Sequence, residues 1–506
     1  MRLFLKGMAL AALLALPATA QDQPRARVAQ GELAGFRDRG ADAFLNIPFG
    51  AAPVGALRWK APAPPPAWSG ARDATKFGPA CMQRDAQAFG PWSIEYMAAG
   101  PFSEDCLSLN VWTTAKPGAK PGAGRAVALF IPGGGFNQGG GDVPVYNGAS
   151  IAKTGIVFVT MNYRLSMAGF LTHPALTAEA GYSGNYGLSD VLAALIWIRE
   201  NIAAFGGDPA KVTVMGQSAG AGAINALLRS PQTKGLFRAA ILDSGVRVGP
   251  PLPTSAEREA ASVEWASNKG ATNLSQLRAL PAQALVWTSG TGRFAPTIDG
   301  HVVPDGPVIN DVPILTGWNK DEGATLPKKL LNSPVTRTEF ETWANNQMGA
   351  DAKAFLALYP SGEDARTTSH MAGHDALVMG TASWAATRAA RAPVYLFDFE
   401  HVMPGAEAEG YGSYHTSELP YALGTLHTLN RPWTDNDRKV SAILQAYWVN
   451  FIKTGDPNGG ALPRWAPFDR TRNDTMALGL APGMRPITDA AKADFFRRAN
   501  AKFAAP

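Results

Sequence analysis

Short unbroken apolar runs alternate with helical periodicity through the middle of the chain. Ala126 to Ile131 (AVALFI) stops at Pro132-Gly133-Gly134-Gly135, which predicts a buried strand feeding a glycine loop. Ile156 to Met161 (IVFVTM) predicts a second strand. Leu188, Val191, Leu192, Leu195, Ile198 and Ile202 recur at spacings of three and four, the mark of an amphipathic helix, which should end at Gly206-Gly207-Asp208-Pro209. Lys211 to Met215 predicts another strand, turning at Gly216 into a helix of small residues that starts near Ala219. Ala239 to Asp243 (AAILD) and Val394 to Phe399 (VYLFDF) predict further buried strands. Strands alternating with helices imply an α/β fold with a mostly parallel central sheet covered on both faces. From about residue 250 to 390 the pattern is weaker, and helical excursions above the sheet are expected. No linker composition divides the chain, so residues 21–506 are read as one domain.

Composition changes this picture little. Of 506 residues, 46% are hydrophobic and 17% charged, which suits a globular protein with a sizeable core. The 53 glycines and 39 prolines follow no repeat period, which argues against a solenoid. The first twenty residues read as a signal peptide: Arg2 and Lys6, an apolar run from Met8 to Leu16, then Ala18-Thr19-Ala20 as the cleavage site. No later stretch reaches the ~18 consecutive apolar residues of a membrane span. The protein is therefore expected to be exported, to the periplasm or beyond. The formal charge of +5 falls to +3 without Arg2 and Lys6, and no Lys/Arg run marks a nucleic-acid or membrane surface. Cys81 and Cys106 are the only cysteines, and in an exported protein such a pair reads as a disulfide, the alternative being two free buried thiols. No oligomeric state follows from the chain.

Gly216-Gln217-Ser218-Ala219-Gly220 is a G-x-S-x-G between a predicted strand and a predicted helix, and it occurs once. Such a serine sits on a sharp strand-to-helix turn that only glycines on either side permit. Upstream, Gly133-Gly134-Gly135 can present backbone N–H groups to an oxyanion without side-chain obstruction, and the N–H of Ala219 would complete the hole.

With these motifs the chain resembles the type-B carboxylesterases, α/β-hydrolases that include bacterial p-nitrobenzyl esterases, animal carboxylesterases and cholinesterases. The resemblance runs through nearly the whole mature chain. It is carried by Glu104-Asp105-Cys106-Leu107-Ser108-Leu109-Asn110-Val111, Gly133-Gly134-Gly135-Phe136, Asn162-Tyr163-Arg164-Leu165 and Gly184-Asn185-Tyr186-Gly187-Leu188. Phe205-Gly206-Gly207-Asp208-Pro209, the serine motif and Thr454-Gly455-Asp456-Pro457-Asn458 continue it. The resemblance implies that Ser218 is the nucleophile. It places the acid at Glu322, in Asn319-Lys320-Asp321-Glu322-Gly323, with Asp321 as the neighbouring rival. It places the histidine at His415, in His415-Thr416-Ser417-Glu418-Leu419-Pro420, and the oxyanion donors at Gly134, Gly135 and Ala219. It pairs Cys81 with Cys106 around a loop at the gorge mouth, and Ser244 resembles a serine that supports the histidine region. The implied activity is hydrolysis of small carboxylic esters through an acyl-enzyme, with no metal or cofactor.

Departures from the family pattern are Pro132, where histidine is usual before the glycines, Ser166 for a usual glycine, and Val191 where glutamine is frequent. Pro132 should alter loop support more than chemistry, and the other two bear on the substrate pocket rather than on the triad. His370 and His374 stand four apart, but no H-E-x-x-H pattern supports zinc. Phe89, Trp92, Tyr96 and Phe102 lie between the cysteines at a spacing unlike that of a choline-binding site. Amides, lactones and acyl transfer are alternative uses of the same triad. A non-catalytic binding protein on this fold would be expected to lack one of its members.

Overall fold

The computed structural model describes residues 23–115, 124–288, 294–322, 336–405, 408–501 and 503. The signal peptide read at 1–20 and Gly323 lie outside the described residues. The described residues form an 11-stranded sheet. In chain order its strands are β1 (Phe36–Asp38), β2 (Ala41–Pro48), β3 (Ser108–Thr113), β4 (Arg125–Ile131), β5 (Val157–Met161), β6 (Gly207–Gln217), β7 (Ala239–Asp243), β8 (Ile314–Asn319), β9 (Val394–Phe399), β10 (Asp474–Leu478) and β11 (Gly483–Pro486). Their order across the sheet is β11-β10-β9-β8-β7-β6-β4-β5-β3-β2-β1. Every pairing from β10 to β5 is parallel, and the edges on both sides are antiparallel. This is the mostly parallel sheet that the alternation of strands and helices predicted.

The side-chain period of two divides β4 cleanly. Val127, Leu129 and Ile131 enter one buried cluster, while Ala126, Ala128 and Phe130 enter the other. On the first face lie helix α1 (Tyr186–Asn201) and helix α2 (Ala219–Leu227), whose apolar residues share the cluster of Val127. On the second lies helix α3 (Asp435–Thr454), which brings Val440, Leu444, Trp448 and Phe451. Both faces are thus covered, and the central strands are apolar on both sides because neither side meets water.

The predicted helix over Leu188–Ile202 is α1, ending through a short 3-10 turn at Gly206, whose φ of 76° is the left-handed conformation that glycine adopts at low cost. The predicted stop runs too far: Gly207-Asp208-Pro209 belong to β6, which shifts register between Gly207 and Val212 and so accommodates the proline. The stretch from 250 to 390 holds helices Ser255–Asn268, Arg337–Met348 and Arg366–Arg388. They deliver Trp265, Phe340 and Val378 to the cluster on the α1 face. The same stretch also hides β8, a full member of the sheet.

Cys81 and Cys106 form a disulfide across a separation of 25 residues. The loop it closes carries Trp92, which bonds Thr416, and Tyr96, whose hydroxyl meets that of Tyr414. No helix among the described residues is long and apolar enough to cross a membrane.

Candidate active site

β6 delivers Ser218 directly. The strand ends at Gln217, α2 starts at Ala219, and Ser218 alone makes the turn at φ 56° and ψ −119°. A non-glycine residue in this region is strained by about 1–3 kcal/mol. The Ser218 N–H donates to the Asp243 carbonyl at 2.8 Å, which ties the turn to β7. The flanking glycines have a steric reason. A Cβ on Gly216 would lie 2.7 Å from the Gly220 carbonyl carbon, and one on Gly220 would lie 2.9 Å from the Ile131 carbonyl carbon at the end of β4.

The glycine loop lies against this elbow: a Cβ on Gly133 would stand 3.2 Å from Ser218 Cβ. Gly134 and Gly135 have φ of 110° and 65°. Among the described residues, the N–H groups of Gly134, Gly135 and Ala219 are taken by no other acceptor. Pro132 anchors the loop by accepting a bond from the Tyr163 hydroxyl at 3.0 Å, a role that needs only its carbonyl. Ser166 is fully buried at φ 51°, which explains why glycine would suit that position.

Glu322 follows the end of β8. Its Oε2 lies 2.6 Å from His415 Nδ1, and its Oε1 accepts the Asn319 backbone N–H at 2.9 Å and the Ser244 hydroxyl. Asp321 is used elsewhere, since its Oδ2 accepts the Ser413 N–H at 2.9 Å. The Asp321 N–H donates to the Ser413 carbonyl at 2.9 Å, and Asn319 Nδ2 donates to the Tyr414 carbonyl at 2.8 Å. These bonds clip the acid's loop to the histidine's loop.

Burial alone would pull the imidazole of His415 down. The charge and hydrogen bond of Glu322, with Glu418 behind, outweigh it and hold the pKa above the ordinary 6.5. Burial would likewise raise Glu322, yet His415, Ser244 and Asn319 hold it below its ordinary 4.5. The neighbouring carboxyls go the other way. Burial first, then the charge of Glu322, raises Glu418 to about 7 despite its bond from Asn319. Burial, then the charges of Glu418 and Glu322, raises Asp243 well above the carboxylate range. Of three carboxyls buried together, only Glu322 has its ionised form favoured over the ordinary carboxyl.

The structure therefore brings Glu322 to His415 and the glycine loop to Ser218. Gln217 Nε2 lies 3.0 Å from His415 Nε2 and 3.4 Å from Nδ1, a position over the ring face, and among the described residues Ser218 Oγ has no hydrogen bond of its own. Catalytic contacts of this kind commonly close only when substrate is bound. His370 and His374 lie on the helix Arg366–Arg388, and no group of three metal-ligating side chains occurs among the described residues. Gln217, Asn319, Asp243 and Glu418 were not singled out by motif reasoning. Gln217 and Glu418 sit inside the two motifs, where their position was the available signal.

A family profile described as "Carboxylesterase family" matches residues 22–496. The chain is 35% identical to a fumonisin B1 esterase of Sphingopyxis macrogoltabida, over 93% of this chain and 89% of that protein. It is 33% identical to a para-nitrobenzyl esterase of Bacillus subtilis (strain 168), over 88% of this chain and 93% of that protein. A solved structure of a PNB esterase superposes with a TM-score of 0.80 at 30% identity, covering 94% of this chain and 99% of that one.

Proposed function

The chain belongs to the carboxylesterase family and is a carboxylic-ester hydrolase, and from that premise we propose that its reaction runs through an acyl-enzyme on Ser218, with His415 as base and Glu322 as the carboxylate that orients it. The observation that most supports this is the 2.6 Å contact from Glu322 Oε2 to His415 Nδ1 at the end of the sheet where β6 delivers Ser218.

In this mechanism the Ser218 hydroxyl proton moves to His415 Nε2 as Oγ attacks the ester carbonyl carbon. The carbonyl electron pair moves to oxygen, where the N–H groups of Gly134, Gly135 and Ala219 receive the negative charge. Collapse expels the alcohol oxygen, which takes the proton from His415. Water then repeats the sequence on the acyl-enzyme and frees the acid. Glu322 fixes the tautomer with Nδ1–H toward itself and stabilises the imidazolium. The substrate class is a small-molecule ester. Residues 21–506 act as one catalytic unit after export, a reading supported by the leader-like first twenty residues and by the Cys81–Cys106 disulfide.

The test is hydrolysis of p-nitrophenyl esters from C2 to C12 by wild type and Ser218→Ala. Wild type is expected to turn over short chains and the variant to lose ~10⁴-fold or more. A folded Ser218→Ala protein that keeps its rate would overturn the assignment.

A further inference from the structure

The glycine loop continues into a polar side chain that the proposed mechanism does not use. Asn137 follows Gly133-Gly134-Gly135-Phe136 and is partly buried. Its backbone N–H donates to the Gly134 carbonyl at 3.1 Å, which folds the residue back beside the glycines. Its Oδ1 accepts the hydroxyl of the fully buried Ser166 at 3.3 Å. The Ser166 N–H donates to the Phe136 carbonyl at 2.7 Å, so the backbone fixes both ends of that contact. With the carboxamide oxygen held by Ser166, the nitrogen faces the other way. There it stands beside Gly135, which is exposed. A Cβ on Gly135 would enter open space, with Asn137 Nδ2 at 3.8 Å as the one neighbour among the described residues beyond 134–136. Nδ2 donates to no acceptor among the described residues. An oriented and unused N–H donor thus adjoins a proposed oxyanion donor.

We propose that Asn137 is a specificity-determining residue: its Nδ2–H donates to a second oxygen of the substrate, so the enzyme favours esters that carry an ether, hydroxyl or carbonyl oxygen close to the scissile carbonyl. Ser166 is the positioning residue that holds the amide in this orientation. The proposal rests on the reading of Gly135 as an oxyanion donor, because that reading sets the scissile carbonyl beside Asn137. The discrimination comes from desolvation. An alkyl chain at this place strips water from Nδ2 and returns no bond, whereas an oxygen replaces the water it displaces.

Two substrate pairs matched in length test this. In p-nitrophenyl methoxyacetate an oxygen replaces one methylene of p-nitrophenyl butanoate, on the acyl side. In 2-methoxyethyl acetate it replaces one methylene of butyl acetate, on the alcohol side. For each pair the ratio of kcat/KM, oxygen to methylene, is compared between wild type and variant, which cancels the intrinsic reactivity of the esters. Asn137→Leu should lower the ratio roughly fivefold for one of the pairs, the size of one ordinary hydrogen bond, and that pair tells which side of the ester Asn137 reads. Asn137→Asp keeps the shape and should lower it further, because a carboxylate repels an oxygen acceptor. Ser166→Ala frees the amide and should lower it by a smaller factor, yet change nothing in an Asn137→Leu background. A merely structural role would slow both members of each pair alike. Ratios that stand still for both pairs in whichever Asn137 variant folds would overturn the proposal. So would an Asn137→Asp protein that keeps the wild-type ratios, since oxygen rather than nitrogen would then face the site. If Ser218→Ala remains fully active, the acyl-enzyme reading falls and takes this one with it. If Ser218→Ala is dead and the ratios stand still, the Asn137 proposal falls alone.

Discussion

Trp92 Nε1 donates to Thr416 Oγ1 at 2.8 Å, one residue past His415. Trp92 lies in the loop closed by Cys81 and Cys106, and its ring meets the His415 imidazole edge to face at 6.5 Å and 89°. Nearby in the same loop, the Tyr96 hydroxyl meets that of Tyr414 at 3.3 Å. Thr416 itself holds φ 81°, a strained conformation for a β-branched residue that needs external support. The disulfide loop thus braces the histidine turn from outside the sheet.

Trp92→Phe removes the indole N–H and leaves an aromatic edge. Loss of one such bond is worth about 1 kcal/mol, so kcat should fall roughly fivefold with the fold intact. Trp92→Ala should cost more, because the ring contact goes as well. Equal kcat for Trp92→Phe and wild type on p-nitrophenyl acetate would show that the turn holds itself.

The opposed shifts of His415 and Glu322 fix how activity and stability should diverge with pH. His415 has its folded pKa raised above 6.5, so its contribution to stability is full below that value and is lost as pH rises through the folded pKa. Glu322 has its folded pKa below 4.5, so its contribution is present above that value and is lost as pH falls through the folded pKa. The pair stabilises most between these ordinary values, whereas catalysis with His415 as the proposed base needs the neutral imidazole and should rise with a midpoint above 6.5. Glu322→Gln should drop kcat by ~10⁴-fold through the wrong tautomer and move the remaining acid limb down. A profile flat from about pH 5 to 9 would exclude His415 as the base.

Much of the sheet was legible because its strands carry apolar runs bounded by glycine or proline. β4, β5, β7 and β9 are of this kind, and the structure matches them within a residue. β8 was not legible. Ile314-Leu315-Thr316-Gly317-Trp318-Asn319 mixes polar and small residues into a strand, and those residues serve its neighbours: a Cβ on Gly317 would strike the Phe397 carbonyl, and Asn319 clips the histidine loop. The serine motif was readable from steric need alone. The proposed acid, Glu322, and the proposed base, His415, were not, because they meet across 93 residues and only the family resemblance named them. Gln217 and Glu418 escaped notice because a buried polar side chain declares its partner only in three dimensions.

A second buried ion pair should matter to stability and not to chemistry. Arg164 grips Asp190 with Nη2 at 2.7 Å from Oδ1 and Nε at 2.9 Å from Oδ2, and both residues are almost wholly buried. The Arg164 N–H also donates to Oδ2 at 2.9 Å, which ties the loop after β5 to α1. Asp190→Ala strands a guanidinium in the interior and should cost about 3–5 kcal/mol of unfolding free energy. Denaturation by urea measures this; a cost under about 1 kcal/mol would mean that water reaches Arg164 and satisfies it.

Glu418 provides the sharpest test of the buried carboxyls. Its folded pKa, about 7, lies above its ordinary 4.5, so the sign is opposite to that of Glu322. Below 4.5 the group is protonated in both states and costs nothing. As pH rises toward about 7 the unfolded chain ionises first, and stability falls; above that the penalty is constant. Gln in its place keeps an oxygen for Asn319 Nδ2, which now donates to Glu418 Oε2 at 2.5 Å, and never ionises. Glu418→Gln should therefore match wild type near pH 4.5 and exceed it near pH 8 by on the order of 1–3 kcal/mol, measured as urea unfolding at both values. Removing that charge also relieves His415 of one source of its upward shift, so the acid limb of activity should move slightly down. Parallel stability curves for the two proteins across this range would mean that Glu418 ionises freely where it stands, and that Glu322 shares its chamber with a second charge.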